Sequence, residues 1–283
     1  MATHRTTRVS DSQIIALQDE VVRMLTASFG EKLCSIYLIG SYAQGVALNG
    51  SDADFIVTLS AKPSTHMLAT YNEGLELLNA RWCPSPIYKM DLDLILDPFV
   101  QDNITIRSRF LIQLTGRLLY GKPVYDDVIS EYSPAMIAAA FREFHFTYMP
   151  TIPINDPDSL IRTAGRRAKA KYLLRELEWI AVLAGAPLSC VTSEFVDHIK
   201  KYTPEHTQLA EFCWGLYRKP YVNDTELAEL QRRERYIVTQ FDTRVNQALA
   251  GPGGTVPRDP KLITKTHLSS SLDHAVSEES LTA

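Results

Sequence analysis

Leu33-Cys34-Ser35-Ile36-Tyr37-Leu38-Ile39-Gly40-Ser41 opens the stretch that decides the fold, and Ser51-Asp52-Ala53-Asp54-Phe55-Ile56-Val57-Thr58-Leu59 closes it. Each half holds an apolar, β-branched run of strand length whose polar end lies next to the intervening loop. Residues two apart on a strand point to the same face, so Asp52 and Asp54 stand side by side. Two carboxylates that close repel each other at neutral pH, and a divalent cation between them relieves the repulsion. Hard oxygen donors favour Mg2+, or Mn2+, over zinc. Upstream, Gly40 lets the backbone turn sharply and approach a ligand closely. Ser41 adds a hydroxyl and an amide. A helix beginning within residues 42–47 would aim its free first-turn amides at phosphate oxygens.

Gly40-Ser41, a further glycine at Gly45, and Ser51-Asp52-Ala53-Asp54 about ten residues on resemble the signature of the DNA polymerase beta-like nucleotidyltransferase superfamily. In that superfamily a Gly-Ser pair precedes an Asp-x-Asp or Asp-x-Glu pair. The resemblance implies an α+β fold: a small mixed β-sheet nucleotidyltransferase domain flanked by helices, then an all-α helical-bundle domain. It also implies transfer of a nucleoside monophosphate, with AMP from ATP favoured, to a hydroxyl, releasing pyrophosphate. Asp52 and Asp54 would bind the metal, Gly40 and Ser41 the nucleotide, and a third acidic residue is expected on a later strand.

Ile87-Tyr88-Lys89-Met90-Asp91-Leu92-Asp93-Leu94-Ile95-Leu96 fits that later strand. Alternation puts Lys89, Asp91 and Asp93 on one face and Met90, Leu92 and Leu94 on the other. Asp93 is favoured as general base and further metal ligand, because Leu94-Ile95-Leu96 continues the strand after it; Asp91 is the alternative.

Around this centre the rest reads as helix. Apolar spacing predicts a helix from a cap at Asp11 or Ser12 to Gly30, another from Thr65 to Arg81, and a third over residues 103–119. From Pro134 onward only helices are expected, at 134–148, 158–184, 193–201, 205–217 and 224–249. The change from mixed to helical structure divides the chain into a catalytic domain at 1–125, a helical substrate- and nucleotide-binding domain at 126–250, and a flexible polar tail at 251–283. Arg162, Arg166, Arg167, Lys169, Lys171 and Arg175 crowd one helix of the second part. A departing pyrophosphate needs cations besides the metal, so Arg166, Lys169 or Lys171 is expected to reach the triphosphate.

Composition narrows the partner. The chain has 283 residues, 45% hydrophobic and 22% charged, with net charge −4 and a sequence pI of about 6.0. An acidic balance argues against a broad nucleic-acid footprint and for a small-molecule substrate. Cys34, Cys83, Cys190 and Cys213 form no C-x-x-C pair, which reads as free thiols in a reducing compartment. With no signal-peptide layout at the start and no bilayer-length apolar run, a cytoplasmic protein is expected. Walker, H-E-x-x-H, G-x-S-x-G and strand-linked G-x-G-x-x-G motifs are missing. His145 and His198 read as packed or surface helix residues. The layout resembles the bacterial aminoglycoside and lincosamide nucleotidyltransferases, which implies a hydroxylated antibiotic-type acceptor. The alternatives are a toxin-type nucleotidyltransferase acting on tRNA or protein, and a non-catalytic antitoxin-like module.

Overall fold

A computed structural model of the chain describes residues 9–45, 47, 52–82, 90–96, 103–123, 132–189, 191–219 and 221–251, and of Asp91, Leu96, residues 103–105, Phe146 and Leu160 the backbone alone. The polar tail expected beyond 251, the Lys89 end of the third strand, Cys83 and Cys190 lie outside these residues.

Helix α1 (Asp11–Phe29) is capped by Ser10, one residue before the earlier of the expected caps. Ser10 accepts from the Gln13 amide while the Gln13 side chain accepts from the Ser10 amide, a reciprocal capping box. Strand β1 (Leu33–Ile39) runs into a single helical turn, α2 (Gly40–Ala43), which starts at Gly40 itself rather than within 42–47. Strand β2 (Ala53–Leu59), helix α3 (Thr65–Trp82) and strand β3 (Met90–Leu96) follow. Helix α4 (Asn103–Thr115) is shorter than expected, because Gly116 ends it and Arg117–Gly121 forms a strand, β4, alongside β1. The sheet order is β3-β2-β1-β4, with β2 and β3 parallel and the other pairs antiparallel.

The two faces of this mixed sheet are covered differently. On one, Ile36, Leu38, Phe55, Val57 and Leu92 pack with Leu17, Val21, Leu25 and Phe29 of α1 and Tyr71 and Leu78 of α3. On the other, Tyr37, Ile39, Ile56 and Ile95 join Ile106 and Phe110 of α4 and continue into the helical half. That half consists of α5 (Pro134–Tyr148), α6 (Ser159–Leu183), α7 (Thr192–Tyr202), α8 (Thr207–Arg218) and α9 (Asp224–Ala250). Helix α6 is its axis, with Ala170, Leu173, Leu174, Leu177 and Ile180 buried among α5, α7, α8 and α9. One apolar core therefore runs from the second sheet face into the bundle.

Candidate active site

Backbone register assembles the site at one end of the sheet. Ile39, the last residue of β1, pairs with Asp54, and Asp54 pairs with Asp91 on β3. Gly40 therefore begins its turn beside Asp54, and its φ of +68° is one that residues with a Cβ rarely adopt. A Cβ there would stand 2.8 Å from Asp54 Oδ2. The Gly40 amide donates to Thr115 Oγ1 at 3.2 Å, and the Thr115 hydroxyl donates to the Leu111 carbonyl at 2.9 Å, which moors the turn to α4. Ser41 lies half-buried in the same turn, Asp52 is exposed just before β2, and Asp54 is half-buried.

Asp93 stands one register step beyond, level with Ile56, and Arg107 Nη1 approaches its Oδ2 at 3.4 Å. Among the described residues no cluster of three or more His, Cys, Asp or Glu side chains is found. Asp93, expected as a further metal ligand, lies two residues along β3 from Asp91, the register partner of Asp54. Two strand residues span about 6–7 Å, and the guanidinium claims its carboxylate.

The three cations expected at the triphosphate are engaged elsewhere in the bundle. Arg166 is buried and donates to the carbonyls of Ile154 (3.0 Å) and Val222 (2.8 Å) and to Asp224 (2.6 Å), clasping two connections to α6. Lys169 pairs with Glu234 of α9 at 2.7 Å, and Lys171 lies 5.9 Å from the Tyr217 ring centroid of α8. A groove of about 370 Å³ lined by Met149, Ile154, Asp156 and Lys169 includes none of the strand carboxylates.

What the helical half turns toward the sheet is a different set. Burial raises the Tyr172 phenol above its ordinary range, with smaller effects from Tyr148, Arg175, Arg107 and Asp54 that mark these groups as its electrical neighbours. The rings of Phe144 and Tyr148 stack at 5.4 Å, and Tyr172 lies edge-on to Tyr148 at 5.4 Å and to His145 at 5.1 Å. Behind this wall His145 Nδ1 and Glu176 Oε1 are 3.2 Å apart, both fully enclosed. Burial, then Arg175 and Arg107, lowers His145 to about 3. Burial, then Glu234, raises Glu176 to about 8 against the pull of Lys169. Both are neutral at pH 7. His145 is therefore a packed residue, as read from the sequence. His198 bonds Glu178 at 2.7 Å on the α6–α7 contact.

A mixed sheet that brings a tight Gly-Ser turn against a strand carboxylate, with helices facing that end, defines the nucleotidyltransferase class of fold. Sequence comparison agrees: residues 26–115 match the family model described as nucleotidyltransferase domain. It spans the end of α1 through α4, and so includes Gly40, Asp52, Asp54, Asp91 and Asp93. Among solved structures, the spectinomycin adenyltransferase AAD(9) from Enterococcus faecialis, with ATP and spectinomycin, shares the fold at a TM-score of 0.56 and 13% identity, over 81% of this chain and 99% of that one. A toxin-antitoxin complex with AMP-PNP aligns at 18% identity over 49% of this chain and 95% of that one, with a TM-score of 0.26. The tri-AMPylated Shewanella oneidensis HEPN toxin in complex with MNT antitoxin aligns at 15% over 50% and 96%, also at 0.26. These two superpose too loosely to inform on fold or function. No curated protein matches the chain in sequence.

Proposed function

We propose that the protein transfers a nucleoside monophosphate, AMP from ATP as the favoured case, to a hydroxyl of a small acceptor such as an aminoglycoside-type antibiotic, releasing pyrophosphate. The observation that carries this reading is the closeness of the Asp54 carboxylate to the Gly40 turn at the end of the sheet, where an added Cβ would stand 2.8 Å from Oδ2. A tight glycine turn with the Ser41 hydroxyl and amide next in the chain lies there beside a hard metal-ligating group. The likeness of fold to AAD(9) over nearly all of that chain supports the acceptor class and the nucleotide.

Asp52 and Asp54 are carboxylates at i and i+2, one exposed and one half-buried, and this donor set fits Mg2+ or Mn2+. When bound, the ion neutralises phosphate charge and orients the α-phosphorus for in-line attack. The Gly40 turn and Ser41 hold the phosphates. Asp91, the register partner of Asp54, takes the proton of the acceptor hydroxyl as that oxygen bonds the α-phosphorus, and the bond to the β-phosphate oxygen breaks with pyrophosphate leaving. Asp91 is preferred to Asp93 because it is Asp91 that stands level with Asp54 across the strand pair, Asp93 being level with Ile56. Arg175 takes the role first given to Arg166, Lys169 and Lys171. The rings of Tyr148 and Tyr172 offer stacking surface to the base or the acceptor.

On this reading residues 1–125 form the catalytic unit and 126–250 the helical unit facing it. The free thiols Cys34 and Cys213 support a reducing, cytoplasmic setting. Among the described residues no helix is long and apolar enough to cross a membrane.

The test is incubation with Mg2+, each of four labelled nucleoside triphosphates, and a panel of aminoglycosides, spectinomycin, lincosamides and tRNA. Label on a small hydroxylated acceptor is the expected result. Label on tRNA or on a protein replaces the acceptor, and failure to transfer label or release pyrophosphate with any combination overturns the proposal.

A further inference from the structure

We infer that Arg107 is a phosphate-binding residue of this site, held by Asp93 until nucleotide arrives and then transferred to the triphosphate. The inference rests on the nucleotidyl-transfer reading above. Arg107 belongs to α4 and reaches between β3 and the aromatic wall of α5. Its side chain is 15% exposed, and its guanidinium carbon sits 3.7 Å from the centroid of the Phe144 ring and 5.9 Å from that of Phe141. Stacking fixes the plane of the guanidinium, and its charge persists at any accessible pH.

The counter-ion is weak for a charge so enclosed. Nη1 meets Asp93 Oδ2 at 3.4 Å, longer than the roughly 2.7–2.9 Å of a good charge-assisted bond. Nε is buried with no partner among the described residues. Asp93 is itself 37% exposed, so water screens its attraction. Among the described residues the Nε donor of the guanidinium is left unused.

Its surroundings say what would use it. Asp93, which Arg107 meets, stands two residues along β3 from Asp91, the register partner of Asp54. A planar fork of N–H donors close to a metal-ligating carboxylate suits phosphate oxygens, which keep negative charge after the metal has neutralised part of it. Asp93 is then neither metal ligand nor base. It shields the guanidinium in the empty site and competes with phosphate for it.

That competition gives the test its sign. The full-length protein would be titrated calorimetrically with a non-hydrolysable ATP analogue in Mg2+, and separately with adenosine. Arg107→Gln is expected to weaken the triphosphate by about tenfold or more while adenosine affinity stays the same. Arg107→Lys, which keeps charge without the fork, should fall between. Asp93→Asn should strengthen triphosphate binding several-fold, the opposite of what loss of a metal ligand or a structural tie produces. Asp93 is half-exposed, so this variant decides the matter even if Arg107→Gln fails to fold. Asp54→Asn serves as control. Metal-dependent binding that Asp54→Asn abolishes but Arg107→Gln leaves intact, or that Asp93→Asn weakens or leaves unaltered, overturns the role of Arg107 and spares the transfer reading. A wild-type protein with no metal-dependent nucleotide binding overturns both.

Discussion

Gly40 and Asp54 stand so close that a Cβ on residue 40 would lie 2.8 Å from the carboxylate oxygen Oδ2. The positive φ of Gly40 adds a second reason for glycine at this position. Gly40→Ala should therefore cost about 1–2 kcal/mol in folding stability and push the Asp54 carboxylate aside. Transfer should fall by at least about tenfold, since small displacements at a reacting centre are costly. Asp54→Asn should abolish transfer with the fold retained. Thermal melts and kcat/KM read both effects, and a fully active Gly40→Ala would remove this contact from the site.

Register distinguishes the two aspartates of β3. Asp91→Asn should lower transfer by about a hundredfold or more while metal-dependent nucleotide binding survives, as expected of a general base. Asp93→Asn should lose less than about tenfold. Steady-state kinetics with the acceptor identified in the label-transfer screen make the comparison, and the reverse ranking would restore Asp93 as base.

Arg166 and Arg175 lie on one helix with opposite expected phenotypes. Removing the Arg166 side chain leaves one buried and one part-buried carbonyl without their donor, so Arg166→Ala should destabilise by about 2–4 kcal/mol, read as a shift in the denaturation midpoint. Its nucleotide affinity, measured well below that midpoint, should change little. Arg175→Gln should leave stability nearly intact and weaken triphosphate binding by about tenfold or more. Equal effects on nucleotide affinity would contradict the assignment.

The enclosed pair behind the aromatic wall shapes the pH dependence of stability. Glu176 at about 8 sits above its ordinary 4.5, so folding favours its protonated form. Its contribution is complete below pH 4.5 and is lost as pH rises to 8. Glu178, raised by burial to about 7, adds to the same limb. His145 at about 3 lies below its ordinary 6.5, so its contribution is complete above pH 6.5 and is lost as pH falls toward 3. Between pH 6.5 and 8 the glutamates dominate and stability should decline, by at most about 1.4 kcal/mol per pH unit for each proton. Glu176→Gln should flatten that decline. Chemical denaturation at several pH values measures it, and an unchanged slope would mean that Glu176 does not hold its proton.

Strand and helix periodicity made most of the fold readable, because β1, β2, α1 and the bundle helices each carry one consistent pattern. β4 was hidden because Leu118-Leu119-Tyr120 continues the apolar spacing of α4, and only pairing with β1 turns it into a strand. The site was readable where its chemistry is local: Gly40-Ser41 and Asp52-x-Asp54 lie within one short stretch of chain. It was opaque where it depends on which face of a helix meets the sheet. α6 packs against four other helices, so periodicity could not separate Arg175 from Arg166 or Lys169. Arg107 carried no signal at all, since its meaning comes from Phe144 and Asp93, which lie on other elements.

The place of β4 in the sheet also governs how the chain must be made. β1 is flanked by β2 on one side and by β4 on the other, yet β4 is synthesised only after α3, β3 and α4. Until residues 117–121 emerge from the ribosome, one whole edge of β1 is open to any other extended chain. The finished sheet ends instead in a short strand with mostly exposed side chains, Arg117 among them, a poor template for further pairing. A nascent or truncated chain stopping before Arg117 is therefore the form most exposed to aggregation.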